Sequence, residues 1–181
     1  MKVVMIGAGY VGLVSGACFA EFGADVTCID VDEQKINALK AGEIPIYEPG
    51  LDQLVKKNID AGRLTFSTKL DLHVPSADII FIAVGTPTRR GDGHADLTYV
   101  YEAAKNIAKY ISGYTVVVNK STVPVGTARQ VSRIISEHNP TADYSVASNP
   151  EFLREGAAIS VFMHPGRVVL GVEDSRSEQL L

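Results

Sequence analysis

Three glycines near the amino end of the chain have the spacing of a phosphate-binding loop. Gly7, Gly9 and Gly12 form the pattern GxGxxG, between an apolar run at residues 3–6 and a stretch with helical spacing. Gly7 allows a tight turn, Gly9 lets a pyrophosphate approach the backbone, and Gly12 lets helix and strand pack closely. The helix amino terminus then offers free N–H groups to an anion. An isolated match is as consistent with a plain turn, but the strand and helix around it favour a dinucleotide.

An acidic residue after the next apolar run predicts which dinucleotide is bound. The run at residues 26–29 ends at Asp30. A carboxylate there accepts hydrogen bonds from both adenosine ribose hydroxyls and repels a 2′-phosphate. Residues 31–34 contain no arginine that would bind such a phosphate. The predicted cofactor is therefore NAD rather than NADP. The alternative role for Asp30, a helix N-cap, suits Asp32 better.

Polar stretches follow three later apolar runs, at residues 85–88 (GTPT), 120–127 (KSTVPVGT) and 148–156 (SNPEFLREG). Ligands of open α/β sheets bind beyond the carboxyl ends of the strands. A threonine hydroxyl there can bond a nicotinamide ribose or a diphosphate, although cap and turn roles fit the spacing equally well. Thr127 is interpreted only as a helix N-cap.

Two carboxylates in the third stretch have helical spacing. Asn149 is a suitable N-cap and Pro150 suits the first helical position, so Glu151 and Glu155 would share one helical face. A carboxylate in a first turn also favours the helix dipole without any further role. At the ligand edge of a sheet, the same pair could position a water or a hydroxyl for proton transfer.

Short apolar runs alternate with amphipathic segments along the chain. Strands are predicted at residues 3–6, 26–29, 64–66, 79–84, 115–118, 145–147 and 168–170, and helices at residues 10–22, 32–41, 50–61, 97–111, 127–137 and 150–159. Residues 175–181 are predicted to start another helix, without a capping residue or a partner element. Strands separated by helices form βαβ units whose right-handed crossovers put helices on both faces. The predicted fold class is α/β, a Rossmann-like doubly wound parallel sheet, with residues 79–84 as a central strand.

Composition excludes several other classes of protein. The chain has 181 residues, a formal net charge of −4 and no run of basic residues longer than two, which disfavours a nucleic-acid partner. Cys18 and Cys28 make neither a disulfide framework nor a zinc site, so no metal is expected and a reducing compartment is indicated. No apolar run reaches the ~20 residues of a membrane span. The sequence predicts a soluble, cytoplasmic chain.

These stretches together resemble the NAD-binding domain of the UDP-glucose/GDP-mannose dehydrogenase family. The matching segments are residues 7–13 (GAGYVGL), 46–51 (IYEPGL), 84–87 (VGTP), 121–127 (STVPVGT) and 148–156 (SNPEFLREG). The resemblance covers essentially the whole chain, and its last motif is the most specific. Residues 95–97 (ADL) after residues 91–93 (GDG) favour UDP-glucose as the substrate.

The resemblance implies that the C6 hydroxyl of a nucleotide sugar is oxidised to a carboxylate, with two NAD reduced per sugar. It assigns NAD contacts to Tyr10, Val11, Asp30, Lys35, Thr86, Thr122 and Glu155. It assigns sugar-nucleotide contacts to Glu151, Phe152 and Leu153, and the ordering of a catalytic water to Glu151 and Thr122. Lys35 is equally typical of a solvated helix surface.

The family's nucleophilic cysteine and its lysine lie later than any residue of this sequence. Residues 1–181 are therefore expected to be the NAD-binding domain of a longer, homodimeric enzyme and to be inactive alone. Cys18 and Cys28 are interpreted as small core residues. Alternatives are a GDP-mannose 6-dehydrogenase, a freestanding NAD-sensing module, and a dehydrogenase of hydroxyacyl or sugar-phosphate substrates, which would share only the first motif.

Overall fold

One sheet of six parallel strands forms the centre of the fold. The computed structural model describes residues 1–89, 91 and 93–181. In that part of the chain the strands are β1 Lys2–Ile6, β2 Asp25–Ile29, β3 Leu64–Ser67, β4 Ile79–Ile82, β5 Thr115–Asn119 and β6 Tyr144–Ser148. Their order is β3-β2-β1-β4-β5-β6, and every neighbouring pair is parallel. This order confirms the predicted doubly wound fold and the central place of β4.

Helices cover both faces of the sheet. They are α1 Tyr10–Glu21, α2 Glu33–Lys40, α3 Leu51–Asp60, α4 Leu70–His73, α5 Thr98–Ala108, α6 Thr127–His138, α7 Ala158–Met163 and α8 Ser175–Leu180, with a 3₁₀ turn at Val74–Ser76. The sequence did not predict α4 or the 3₁₀ turn. In the described residues no helix is long and apolar enough to cross a membrane.

Burial of both sheet faces explains why the strands are continuous apolar runs rather than alternating apolar and polar residues. Met5 and Phe81 belong to one core, which α1, α3 and α7 cover, whereas Val4 and Ile80 belong to the other, which α5 and α6 cover. Parallel strands covered on both sides are rich in β-branched residues for this reason. The sheet is thus a rigid platform, and the loops at the carboxyl ends of its strands carry the polar residues.

The predicted helix at residues 150–159 is wrong. Residues 150–157 form a loop, and α7 begins only at Ala158. The Glu151 carboxylate accepts a hydrogen bond from Leu153 N at 2.5 Å, and Gly156 has φ +83°, which interrupts any helix. Glu151 and Glu155 therefore do not share a helical face, and Asn149 is not an N-cap.

Three further local predictions need correction. Residues 168–170 form no strand, and only an isolated antiparallel bridge joins Ser148 to Gly171. Thr127 is the first residue of α6 rather than its N-cap, and its hydroxyl donates to Pro124 O. Helix α8 exists as predicted, but it has a capping residue, Asp174, whose carboxylate accepts from Ser177 N.

Helix α8 also has a partner. Its Arg176 makes two hydrogen bonds to Asp143 and lies 3.6 Å from the ring centre of Tyr114. The pairing holds α8 beside β6.

We expect Gly12→Ala to destabilise the fold strongly. A Cβ at Gly12 would overlap the carbonyl oxygen of Gly7, which belongs to the backbone and cannot rotate away. Overpacking of this kind costs about 1–3 kcal/mol or more. Chemical denaturation of the two proteins measures the loss.

Gly9→Ala is the matched control for Gly12→Ala. Gly9 has φ −83°, and no heavy atom lies within 4 Å of a Cβ built there. We expect its free energy of unfolding to stay within about 1 kcal/mol of the wild type. Equal destabilisation by the two variants would contradict the close-packing role of Gly12.

Candidate functional site

The glycine loop lies between the ends of β1 and β4. At this point of the sheet the order in which successive strands are added reverses. Gly7 has φ +101°, and a Cβ there would lie 2.6 Å from Ala83 O in the loop after β4. Helix α1 follows with Gly9 as its N-cap and no side-chain cap. Its first N–H groups therefore remain for a ligand. The open space beside Gly9 is what a pyrophosphate needs in order to approach the backbone, so the loop fits a dinucleotide.

The Asp30 carboxylate lies beside this loop, as predicted. It accepts hydrogen bonds from Ala8 N at 2.9 Å, Asp32 N at 3.0 Å and Lys35 Nζ at 2.9 Å. Burial alone would raise the pKa of Asp30, but these donors outweigh it and hold the pKa below its ordinary value. Asp32 caps α2 through Lys35 N, which confirms the predicted N-cap role of Asp32.

A cavity of about 260 Å³ opens beside the amino end of α1, and it is called the polar cavity below because charged and hydroxyl side chains contribute to its wall. It is lined by the ends of several elements, which contribute Gly9, Tyr10, Val11, Ala83, Val84, Gly85, Thr86, Lys120, Ser121, Thr122 and Glu151. The Thr86 hydroxyl donates to Thr122 O at 3.1 Å, which joins the loops after β4 and β5. Polar side chains from all three predicted strand-end stretches therefore meet here.

A second cavity, of about 310 Å³, adjoins the first and is mainly apolar. Phe152, Leu153 and Phe162 are among its lining residues. Glu151 and Lys120 line both cavities. A ligand in either cavity would therefore approach the same carboxylate and the same ammonium group.

Lys120 is a functional candidate that the sequence reasoning did not single out. Its residue is 3% exposed, its Nζ donates to Asn149 Oδ1 at 2.9 Å, and the rings of Phe81 and Phe162 lie within 6 Å. Burial lowers its pKa to about 8, and the Glu151 carboxylate opposes that shift. The available signal was the place of this lysine directly after a predicted buried strand, at the edge where ligands of α/β sheets bind.

Glu48 was also missed as a functional residue. It is 4% exposed, and its carboxylate accepts hydrogen bonds from Tyr10 OH at 2.6 Å and from Gly156 N and Ala158 N at 2.8 Å each. Burial would raise the pKa of Glu48, but these bonds hold it below its ordinary value. Burial and the Glu48 carboxylate raise the pKa of the Tyr10 hydroxyl. The signal was its place in residues 46–51, a matching segment to which no role had been assigned.

Comparison with known proteins identifies the family. The profile of the NAD binding domain of the UDP-glucose/GDP-mannose dehydrogenase family matches residues 1–181. The chain belongs to this family.

Individual members of the family are similar over almost the whole of this chain. The chain is 63% identical to the UDP-glucose 6-dehydrogenase of Rhizobium meliloti (strain 1021), over 100% of this chain and 42% of that protein. It is 51% identical to the UDP-glucose 6-dehydrogenase TuaD of Bacillus subtilis (strain 168), over 99% and 39% respectively. The chain thus spans less than half the length of these relatives.

Solved structures of the family share the fold. A UDP-glucose dehydrogenase from Pyrobaculum islandicum superposes with a TM-score of 0.94 at 42% identity, over 98% of this chain and 42% of the other. A ternary complex of GDP-mannose dehydrogenase from Pseudomonas aeruginosa gives 0.95 at 35% identity, over 99% and 43%.

All the residues assigned from the family resemblance except Glu155 fall into three groups in the structure. Tyr10, Val11, Thr86, Thr122 and Glu151 line the polar cavity, and Phe152, Leu153 and again Glu151 line the apolar one. Asp30 and Lys35 form an ion pair beside the glycine loop. Glu155 lies exposed on the loop before α7 and lines neither cavity. Asp92, part of the segment used to favour UDP-glucose, lies outside the described residues.

The two cysteines are core residues, as the sequence indicated. Cys18 on α1 and Cys28 on β2 are both completely buried in the core between α1 and the sheet. Burial raises the pKa of each thiol to about 12. Neither lines either of the two cavities described above.

We expect both thiols to resist modification in the folded protein. A thiol-disulfide reagent such as Ellman's reagent at pH 8 reacts with thiolate, and these thiols are protonated and inaccessible. Absorbance should report no released thiolate from native protein and two equivalents per chain in denaturant. Rapid modification of either cysteine in the native state would contradict the burial and raised pKa.

Proposed function

We propose that this chain is the cofactor-binding part of an NAD-dependent enzyme that oxidises the C6 hydroxyl of UDP-glucose to a carboxylate. The observation that carries the proposal is the pair of adjoining cavities that share Glu151 and Lys120. Two ligands that exchange a hydride must lie in contact at one place. The shared wall supplies such a place beside an acid–base side chain.

The chain's own groups account for NAD binding. The N–H groups at the start of α1 would hold the pyrophosphate, and Thr86 and Thr122 would bond the nicotinamide half. Asp30 would bind the adenosine ribose. A carboxylate has about four acceptor sites, and three donors already use those of Asp30. Lys35, the one side-chain donor among them, would shift to make room for the second hydroxyl. Bound there, NAD supplies a hydride acceptor.

Residues 151–153 would form the sugar side of the site. Phe152 is 58% exposed at the apolar cavity, so it is free to form a wall against a ligand. Glu151 would order a water together with Thr122, since both line the polar cavity. Lys120 would offset the charge of that carboxylate.

The relatives support UDP-glucose rather than GDP-mannose. The relatives with 63% and 51% identity are named UDP-glucose 6-dehydrogenases, whereas the GDP-mannose dehydrogenase structure is 35% identical. The free, buried cysteines suit the reducing cytoplasm. A homodimer for the whole enzyme follows from the family resemblance alone.

We expect the chain to bind NAD much more tightly than NADP. The Asp30 carboxylate would repel a 2′-phosphate, and Asp30→Ala should weaken NAD binding by roughly 1–3 kcal/mol, because charge-assisted hydrogen bonds to the ribose are lost. Titration calorimetry with both dinucleotides measures the two affinities.

Asp32→Ala is the control for Asp30→Ala. It removes the N-cap of α2, at a cost of about 1 kcal/mol in stability, but should leave the preference for NAD intact. Comparable NAD and NADP affinities in the wild type would overturn the assigned role of Asp30.

We expect this chain to bind NAD without oxidising UDP-glucose. The family resemblance implies a nucleophilic cysteine that holds the aldehyde intermediate of the oxidation. Both cysteines here lie in the core, away from the two cavities. A mixture with NAD and UDP-glucose should show no NADH absorbance, while NAD raises the melting temperature by mass action. The whole R. meliloti relative serves as the positive control. NADH production that Cys18→Ser or Cys28→Ser abolishes would contradict the core role of these cysteines.

A further inference from the structure

We propose that Glu48 is a positioning residue for NAD binding, which fixes Tyr10 and Glu155 relative to each other. The inference rests on the proposed function, because it takes NAD as the ligand of the glycine loop. Glu48 itself would not contact NAD, since it is buried and lines neither cavity.

The geometry consists of one carboxylate with donors from two separate segments. Glu48 Oε2 accepts from Tyr10 OH, at the first residue of α1, and from Gly156 N. Its Oε1 accepts from Ala158 N, at the first residue of α7. Glu48 belongs to neither segment, since it lies in the turn before α3. It therefore acts as a bridge between the glycine loop and the loop that follows β6.

The position of Glu155 depends on this bridge. Glu155 directly precedes Gly156, whose φ of +83° and N–H bond to Glu48 set the direction in which the loop leaves the site. The side chain of Glu155 is exposed, so its neighbours along the chain, rather than packing, determine its place. At the other end of the bridge, Tyr10 lines the polar cavity. Both ends of the bridge are thus residues to which the family resemblance assigns NAD contacts.

A neutral side chain of the same shape cannot replace Glu48. All the donors at its two oxygens require acceptors, and a glutamine amide would turn one oxygen into an NH₂ group that faces another donor. At least one of the N–H or O–H groups would then lose its partner. The loop around Glu155 would gain freedom, and NAD binding would have to restore its order.

The test is a double-mutant cycle on NAD affinity, measured by titration calorimetry on this chain. Glu48→Gln is expected to weaken NAD binding at least about tenfold, the scale of an unsatisfied buried hydrogen bond. In the wild-type background, Glu155→Gln should weaken NAD binding. In the Glu48→Gln background, the same substitution should change NAD affinity less than about twofold, because Glu155 is no longer held in place there. A purely structural Glu48 would not produce this non-additivity.

Glu21→Gln is the matched control, at the other end of α1. Its carboxylate accepts two hydrogen bonds, from Lys57 Nζ and Asn58 Nδ2, where that of Glu48 accepts three. We expect this variant to lose stability and to retain wild-type NAD affinity.

Three results separate the outcomes. Wild-type NAD affinity in Glu48→Gln, or strictly additive effects with Glu155→Gln, would overturn the role of Glu48 while leaving the proposed function intact. A wild-type chain that binds no NAD overturns the proposed function and this inference with it. If Glu48→Gln does not fold, Glu48→Asp keeps a carboxylate but places it one methylene short of its donors, and additivity with Glu155→Gln in that background is equally contradictory.

Discussion

The close approach of α1 to the end of β1 is the constraint on which the rest of this structure depends. Gly12 and Gly7 lie so near each other that a side chain on Gly12 would overlap the Gly7 carbonyl. A Cβ on Gly16 would lie 2.7 Å from Cys28 Sγ, which is also too close. Small residues along one side of α1 therefore let the helix lie directly on the sheet. This contact fixes the helix amino terminus at the edge where the strand order reverses, and the loops after β2, β4 and β5 are arranged around it.

The same edge concentrates the charged groups that the fold buries. Asp30, Glu48 and Lys120 are each mostly shielded from water, and each has hydrogen-bond partners from other parts of the chain. A buried charge is tolerable only with such partners. Because these partners are largely backbone groups and residues of neighbouring loops, each charge also ties together segments that the sheet alone would leave separate. The same hydrogen bonds therefore stabilise the buried charges and hold the segments of the site together.

The sequence predicted the features that local chemistry determines. Apolar runs placed all six strands, and the glycine pattern with Asp30 placed the dinucleotide edge. It failed at residues 150–159, where Asn149, Pro150 and the spaced glutamates resemble a helix start. Tertiary hydrogen bonds override those local preferences. Lys120 Nζ donates to the Asn149 side chain, and Gly156 N donates to Glu48, which is more than 100 residues away in the sequence. The family resemblance grouped the motifs, but no local pattern could show that residues 46–51 reach the loop after β6.

Lys120 shows how much stability the fold gives up at this edge. A pKa lowered from 10.5 to about 8 corresponds to roughly 3 kcal/mol against the protonated form at neutral pH. The sign follows from the direction of the shift: this cost is present below pH 8 and disappears as the pH rises towards the ordinary pKa of lysine. An apolar residue of similar volume would avoid it. This cost arises at Lys120, which lines both the polar and the apolar cavity together with Glu151. A reaction between two bound ligands needs a fixed charge at that place rather than a mobile solvent ion.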